Sequence, residues 1–155
     1  MKRKINNPYP PESYRCFACS PSNPIGLKLS FEEDEEFVYA RWTPEENFQG
    51  YNNVIHGGII ATLLDEVGAW YISVKIGTAG VTKSLNIEYI KPLYLSRGDI
   101  VLRSKLVSTE GRITILDCEL FDSTETLCAK SVSEFFLYPE EVAKRKFHYP
   151  GKEAF

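Results

Sequence analysis

His56-Gly57-Gly58-Ile59-Ile60-Ala61-Thr62-Leu63-Leu64-Asp65-Glu66-Val67-Gly68-Ala69-Trp70-Tyr71-Ile72-Ser73-Val74-Lys75-Ile76 is the only long helix candidate in the body of this chain. From Ile59 onward it is apolar almost all round, which places it inside the protein and not on its surface. Gly77 and Gly80 bracket its end, as glycine does after a last helical turn. A single helix of this kind needs a sheet wrapped around it.

The sequence on either side reads as that sheet. Residues 27–31 and 36–43 form a hairpin around the acidic tip Glu32-Glu33-Asp34-Glu35. In its second arm Phe37, Tyr39 and Arg41 alternate with Val38, Ala40 and Trp42. Past the helix, strands are expected over 81–89, 99–108, 112–121 and 126–138, with Leu85, Ile87 and Tyr89 alternating against Ser84, Asn86 and Glu88. Connections this short favour antiparallel neighbours. A hairpin, one buried helix and an antiparallel meander outline an α+β hotdog fold: one long central helix wrapped by a curved antiparallel sheet of five to six strands. Residues 1–26, rich in Pro, Asn, Ser and Tyr, read as an irregular N-terminal arm whose Tyr9, Tyr14 and Phe17 need cover. Residues 27–139 form the body, and 140–155 a tail that opens on a short charged helix.

A chain of 155 residues fits one domain, and its hydrophobic share of 43% and charged share of 25% are those of a globular protein. The net charge of -3 gives no basic field, which argues against a nucleic-acid partner. The basic start Met1-Lys2-Arg3-Lys4 leads into no apolar run, so neither signal peptide nor membrane span is expected and a cytoplasmic location is. Of four cysteines, Cys118 and Cys128 fall in strands and read as buried thiols. Cys16-Phe17-Ala18-Cys19 has the spacing of half a zinc site. No second Cys/His pair stands at a matching distance and His148 joins only through the fold, so no metal or cofactor is expected.

Asp65 is the first candidate for chemistry, because a carboxylate in an apolar helix is expensive to bury without partners or a purpose. Glu66 lies about 100° further round the helix, so the two acids cannot share one environment. The context is His56-Gly57-Gly58 at the helix entry. Two glycines allow a tight turn, and first-turn N–H groups lack helical partners while carrying the positive end of the helix dipole. A substrate carbonyl placed there would be polarised and its oxyanion stabilised. Gly57 and Asp65 are eight positions apart, ~12 Å along a helix. One chain's turn and its own Asp65 cannot grip one scissile bond. Two antiparallel helices across a two-fold axis solve this, so the expected unit is a homodimer with shared active sites, or a tetramer of such dimers.

The stretch Phe48-Gln49-Gly50-Tyr51 through Val54-Ile55-His56-Gly57-Gly58 to Leu64-Asp65-Glu66 resembles the His-Gly-Gly class of hotdog thioesterases, the phenylacetate-pathway type. Asn23-Pro24-Ile25-Gly26-Leu27, Arg41-Trp42-Thr43-Pro44 and Tyr89-Ile90-Lys91-Pro92 look like the same family, as does the Cys16–Cys19 segment. The resemblance implies hydrolysis of an acyl-CoA to free acid and CoA. By position, Asp65 matches the catalytic carboxylate, as nucleophile or as general base. Gly57, or Gly58, matches the carbonyl-polarising N–H; His56 orients the turn; Thr82 matches a hydroxyl that helps place water. Where relatives carry Asn or Gln six residues before the His, this chain has Gly50, which leaves Gln49, Asn47, Asn52 or Asn53 as the helper. Lys83, Lys91, Arg97 and Arg112 are the candidates for the CoA phosphates. Two other readings of the fold are a hydratase or dehydratase of acyl thioesters, whose helix follows a different His turn, and a non-catalytic acyl-CoA sensor, against which Asp65 speaks.

Overall fold

The computed structural model describes all of Met1–Phe155. Strands β1 (Arg3–Ile5), β2 (Ser30–Glu33) and β3 (Val38–Trp42) precede helix α1 (Gly57–Tyr71), which continues as a π-helical turn over Ile72–Ile76. Strands β4 (Gly80–Tyr89), β5 (Ile100–Glu110), β6 (Ile113–Phe121) and β7 (Leu127–Leu137) follow, then a short helix α2 (Glu140–Phe147). Gly77, at φ 88, closes the long helix in the left-handed region that its missing Cβ permits.

All seven strands belong to one antiparallel sheet in the order β1-β2-β3-β5-β6-β7-β4. This is the expected hotdog architecture, with two differences. The sheet has seven strands where the sequence predicts five to six, because the arm contributes Arg3–Ile5 beside β2, a strand too short to show an alternation. The strand over 80–89 does not pair with the next one in sequence, as a meander requires. It crosses to the far edge and pairs with β7 instead. The connection over 90–99 makes that crossing, since it spans the sheet and does not fold back as a hairpin.

The apolar character of α1 is spent on the concave face of the sheet. Leu63, Leu64 and Val67 are fully buried, against Leu102, Leu116, Leu120 and Phe135 of β5, β6 and β7. Gly68 marks the closest approach: a Cβ there would stand 3.0 Å from the Phe135 ring. In the buried core a polar tie crosses the layers, the hydroxyl of Ser104 donating to the Val67 carbonyl at 2.9 Å. Cys118 and Cys128 are buried free thiols in this core. The arm and the tail meet over the C-terminal half of α1. Phe155 packs edge-on against Trp70 at 5.5 Å and also against Tyr9, while Tyr149 donates to the Ser73 carbonyl at 2.9 Å.

Strand β4 is the exception to good coverage. It is ten residues long, lies at the sheet edge, and only Gly80, Leu85 and Ile87 are even half-buried. Its inward-facing Leu85, Ile87 and Tyr89 lie opposite Ser133, Ser131 and Ala129, and α1 leaves them partly open. The seam between β4 and α1 is where every candidate catalytic group lies.

Candidate active site

The entry turn is fixed by its own residues. His56 sits at the N-cap with extended backbone, and its Nδ1 accepts the N–H of Gly58 at 2.8 Å. An imidazole that accepts at Nδ1 carries its proton on Nε2, so His56 presents a donor and not a base. The bond also decides between the two glycines. The Gly58 N–H is consumed by the cap, whereas the Gly57 N–H meets no acceptor in the chain. It stands at the positive end of α1, open to an incoming acceptor such as a carbonyl oxygen.

A residue not singled out from the sequence completes this turn. The Tyr89 hydroxyl, at the end of β4, donates to the Gly57 carbonyl at 2.8 Å, and its ring lies against the Gly57 Cα. In the sequence Tyr89 figures in the strand alternation and in the Tyr89-Ile90-Lys91-Pro92 stretch, and in neither as a site residue. Nothing in the strand alternation foretells a bond to the helix start. Gly50 packs on the other side, where a Cβ would lie 3.5 Å from the His56 ring.

Two helical turns further on, Asp65 is half-buried at the seam, and the Thr82 hydroxyl donates to its Oδ1 at 2.7 Å. Burial pushes the Asp65 carboxyl above the ordinary aspartate range, and the Thr82 bond opposes that rise. A β-bulge makes this contact possible. Thr82 pairs with Phe135 and Ser84 with Glu134, so Lys83 is an extra residue in the ladder. The alternation of Ser84, Asn86 and Glu88 would turn Thr82 outward with them. The bulge shifts the phase by one and turns Thr82 toward the helix.

The other expected residues are distributed as follows. Gln49 and His56 line one shallow cavity of about 350 Å³ together with Asn47, Phe48, Gly58 and Ile59. The Gln49 side-chain oxygen, however, accepts the Asn53 N–H at 2.9 Å and so closes its own loop. Asn53 is turned away from the site: its side chain both donates to Ser96 Oγ (3.0 Å) and accepts the Ser96 N–H (2.9 Å). Its φ of 64 suits an Asn in that loop role. Lys83 is exposed on the bulge and pairs with Glu134 at 3.4 Å. Arg97 is held by Asp122 at 2.8 Å. The structure therefore assembles His56, Gly57, Tyr89 and Gln49 at one end of the seam and Asp65 with Thr82 at the other. Within one chain the two ends make no hydrogen bond to each other.

The sequence profile of the thioesterase superfamily matches residues 52–129, half of the chain, from just before the His56 turn to the start of the last long strand. The chain belongs to the thioesterase superfamily. Mouse (Mus musculus) acyl-coenzyme A thioesterase THEM4 is 32% identical to it over 126 residues, which cover 74% of this chain and 50% of that longer protein. A crystallised thioesterase superfamily protein superposes with a TM-score of 0.71 at 26% identity, covering 80% of this chain and 60% of its own. A "hypothetical thioesterase protein" of Streptococcus pneumoniae TIGR4, solved with coenzyme A, shares the fold at a TM-score of 0.65 and 18% identity, covering 72% of this chain and 87% of its own.

Within this superfamily member, the Thr82–Asp65 bond makes a specific prediction. Thr82→Val keeps the shape but removes the only polar partner of Asp65, which raises the carboxyl further. If the ionised carboxylate is the working form, activity falls as pH drops through its pKa. The acid limb of kcat/KM in the variant should then move to higher pH, with kcat lower by about tenfold. An acid limb that stays in place would detach Thr82 from the titrating group.

Proposed function

We propose that this chain is an acyl-CoA thioesterase which hydrolyses its substrate to free carboxylic acid and CoA, acting as a homodimer with shared active sites. The observation that carries the reading is a pair of groups on one exposed seam: an unpartnered Gly57 N–H at the helix start and a half-buried Asp65 carboxylate, held by Thr82, two turns on. Their spacing along one helix is ~12 Å, too far for one carbonyl carbon. A second copy packed against the open β4 edge, its α1 antiparallel to the first, brings Gly57 of each subunit to Asp65 of the other. The uncovered Leu85, Ile87 and Tyr89 on the inner face of β4 support such a partner.

The chemistry follows from the geometry. The thioester carbonyl oxygen accepts the Gly57 N–H and gathers negative charge there as the carbonyl carbon is attacked. The Nε2–H of His56 is a further donor at the same end. Asp65, ionised and held by Thr82, takes the proton from the attacking water or attacks the carbon itself; either role needs its charged form. On the water route the tetrahedral intermediate collapses with cleavage of the C–S bond, and the proton held by Asp65 passes to the leaving CoA sulfur. On the covalent route CoA leaves as the thiolate, and water then hydrolyses the acyl-aspartyl anhydride to free acid and regenerated carboxylate. The name of the mouse relative supports CoA as the thiol carrier.

Steady-state release of free thiol from a panel of straight-chain and aromatic acyl-CoAs tests this. Turnover on at least one acyl group is expected. Tight binding of acyl-CoA that survives incubation intact would leave a sensor in place of a hydrolase. Release of water-addition products with the thioester intact would leave a hydratase.

A further inference from the structure

On the far side of α1 from the seam, the structure closes a cluster that sequence spacing leaves open. Cys16 and Cys19 of the arm come together with Glu66 of α1, their ligand atoms all within 4.8 Å of one another. Cys16 Sγ lies 3.4 Å from Glu66 Oε1 and accepts the backbone N–H of Cys19 at 3.3 Å. Backbone bonds hold the loop in place: Ser20 N–H returns to the Cys16 carbonyl at 3.1 Å, and the N–H groups of Leu27 and Leu29 tie Phe17 and Ala18 to the body at 2.8 and 3.0 Å. Trp70 Nε1–H donates to Glu66 Oε1 at 3.0 Å and fixes the carboxylate's orientation.

We propose that Cys16, Cys19 and Glu66 bind a zinc ion. A tight Cys-x-x-Cys turn with backbone N–H groups aimed at sulfur is how a peptide prepares a thiolate for a metal. Two sulfurs and a carboxylate are the donor set of a borderline-soft divalent cation, and not of calcium or magnesium. Tetrahedral zinc would hold such ligand atoms ~3.5–3.8 Å apart, close to the 3.4 Å between Cys16 Sγ and Glu66 Oε1. Trp70 plays the outer partner that orients a ligating carboxylate. The fourth position faces a cavity of about 370 Å³, which His148 also lines.

Two thiols and a carboxylate thus crowd one small volume, an arrangement that a dication neutralises. The site would staple the arm to α1 one residue past Asp65.

The test uses the whole protein under reducing conditions. Metal-depleted chain titrated with Co²⁺ should show a near-ultraviolet thiolate-to-cobalt charge-transfer band saturating at about one metal per chain. Zinc should displace the cobalt and raise Tm by about 5 °C or more. Cys16→Ser and Cys19→Ser should abolish the band, and Glu66→Gln should weaken binding at least tenfold. An absent band in the wild type, a band unchanged in the cysteine variants, or a Tm that zinc leaves alone would each overturn the proposal. So would recovery of a Cys16–Cys19 disulfide in place of metal. The wild-type titration needs no variant to fold.

Discussion

Asp65→Asn is expected to lower kcat by two to three orders of magnitude, roughly 10²–10³-fold, while the protein becomes more stable. The substitution is isosteric, and the Asn oxygen still accepts the Thr82 hydroxyl. What vanishes is the charge that removes a proton from water or attacks the thioester, so KM for acyl-CoA should change little and kcat should carry the loss. The stability gain has a different origin. Burial raises the Asp65 carboxyl in the folded state above its unfolded value. The folded chain therefore binds that proton more tightly, and the resulting stability is complete below the unfolded pKa and lost as pH rises through the folded one. At neutral pH the wild type bears this cost and the Asn variant does not. Tm should rise by about 2 °C or more, with the gap closing as pH is lowered into the aspartate range. A stable, fully active Asn variant would remove Asp65 from the mechanism.

The second large effect is expected at the helix entry. Gly57→Pro deletes the one N–H that has no partner and little else. Gly57 is the first helical residue, where proline is tolerated, and His56 already has the extended backbone that a following proline requires (φ -60, ψ 134). The Tyr89 bond goes to the Gly57 carbonyl and survives. Loss of a preorganised oxyanion donor costs about 10²–10³ in kcat, so this variant should be folded and nearly inactive. Mixing it with the Asp65→Asn variant then reads out the architecture. If each site takes Gly57 from one subunit and Asp65 from the other, a reassorted heterodimer has one site with both defects and one with neither. An equal mixture should recover about a quarter of wild-type activity. Two defects within one chain's own site would recover nothing on mixing, and that result would end the shared-site reading while sparing the thioesterase assignment.

These residues differ in how far the sequence reveals them. The central helix is legible because its apolar run has no other way to be satisfied, and Asp65 because a charge inside such a run demands a reason. Gly57 and Gly58 are indistinguishable as letters. The choice between them depends on a side-chain cap, His56 to Gly58, that only the folded turn displays. Thr82 illustrates the converse. The strand alternation assigns it to the outer face with Ser84, Asn86 and Glu88, and only likeness to known thioesterases puts it in the site. The bulge at Lys83 reconciles the two. The roles of Tyr89 and Glu66 escape the sequence because each acts on a segment distant along the chain. No local pattern encodes Tyr89 meeting the helix start, or Glu66 meeting the arm. The route of β4 to the far edge escapes it for a similar reason: pairing partners are chosen by the whole sheet, whereas connection length is a local cue.

The bulge has one more effect. A ten-residue edge strand with one side unpaired is a template on which any extended chain can add, the first step toward fibre growth. Lys83, an extra residue in the ladder, breaks the regular hydrogen-bonding repeat of that template near its start. The residue that turns Thr82 inward thus also acts as a gatekeeper against runaway strand addition while a subunit is alone.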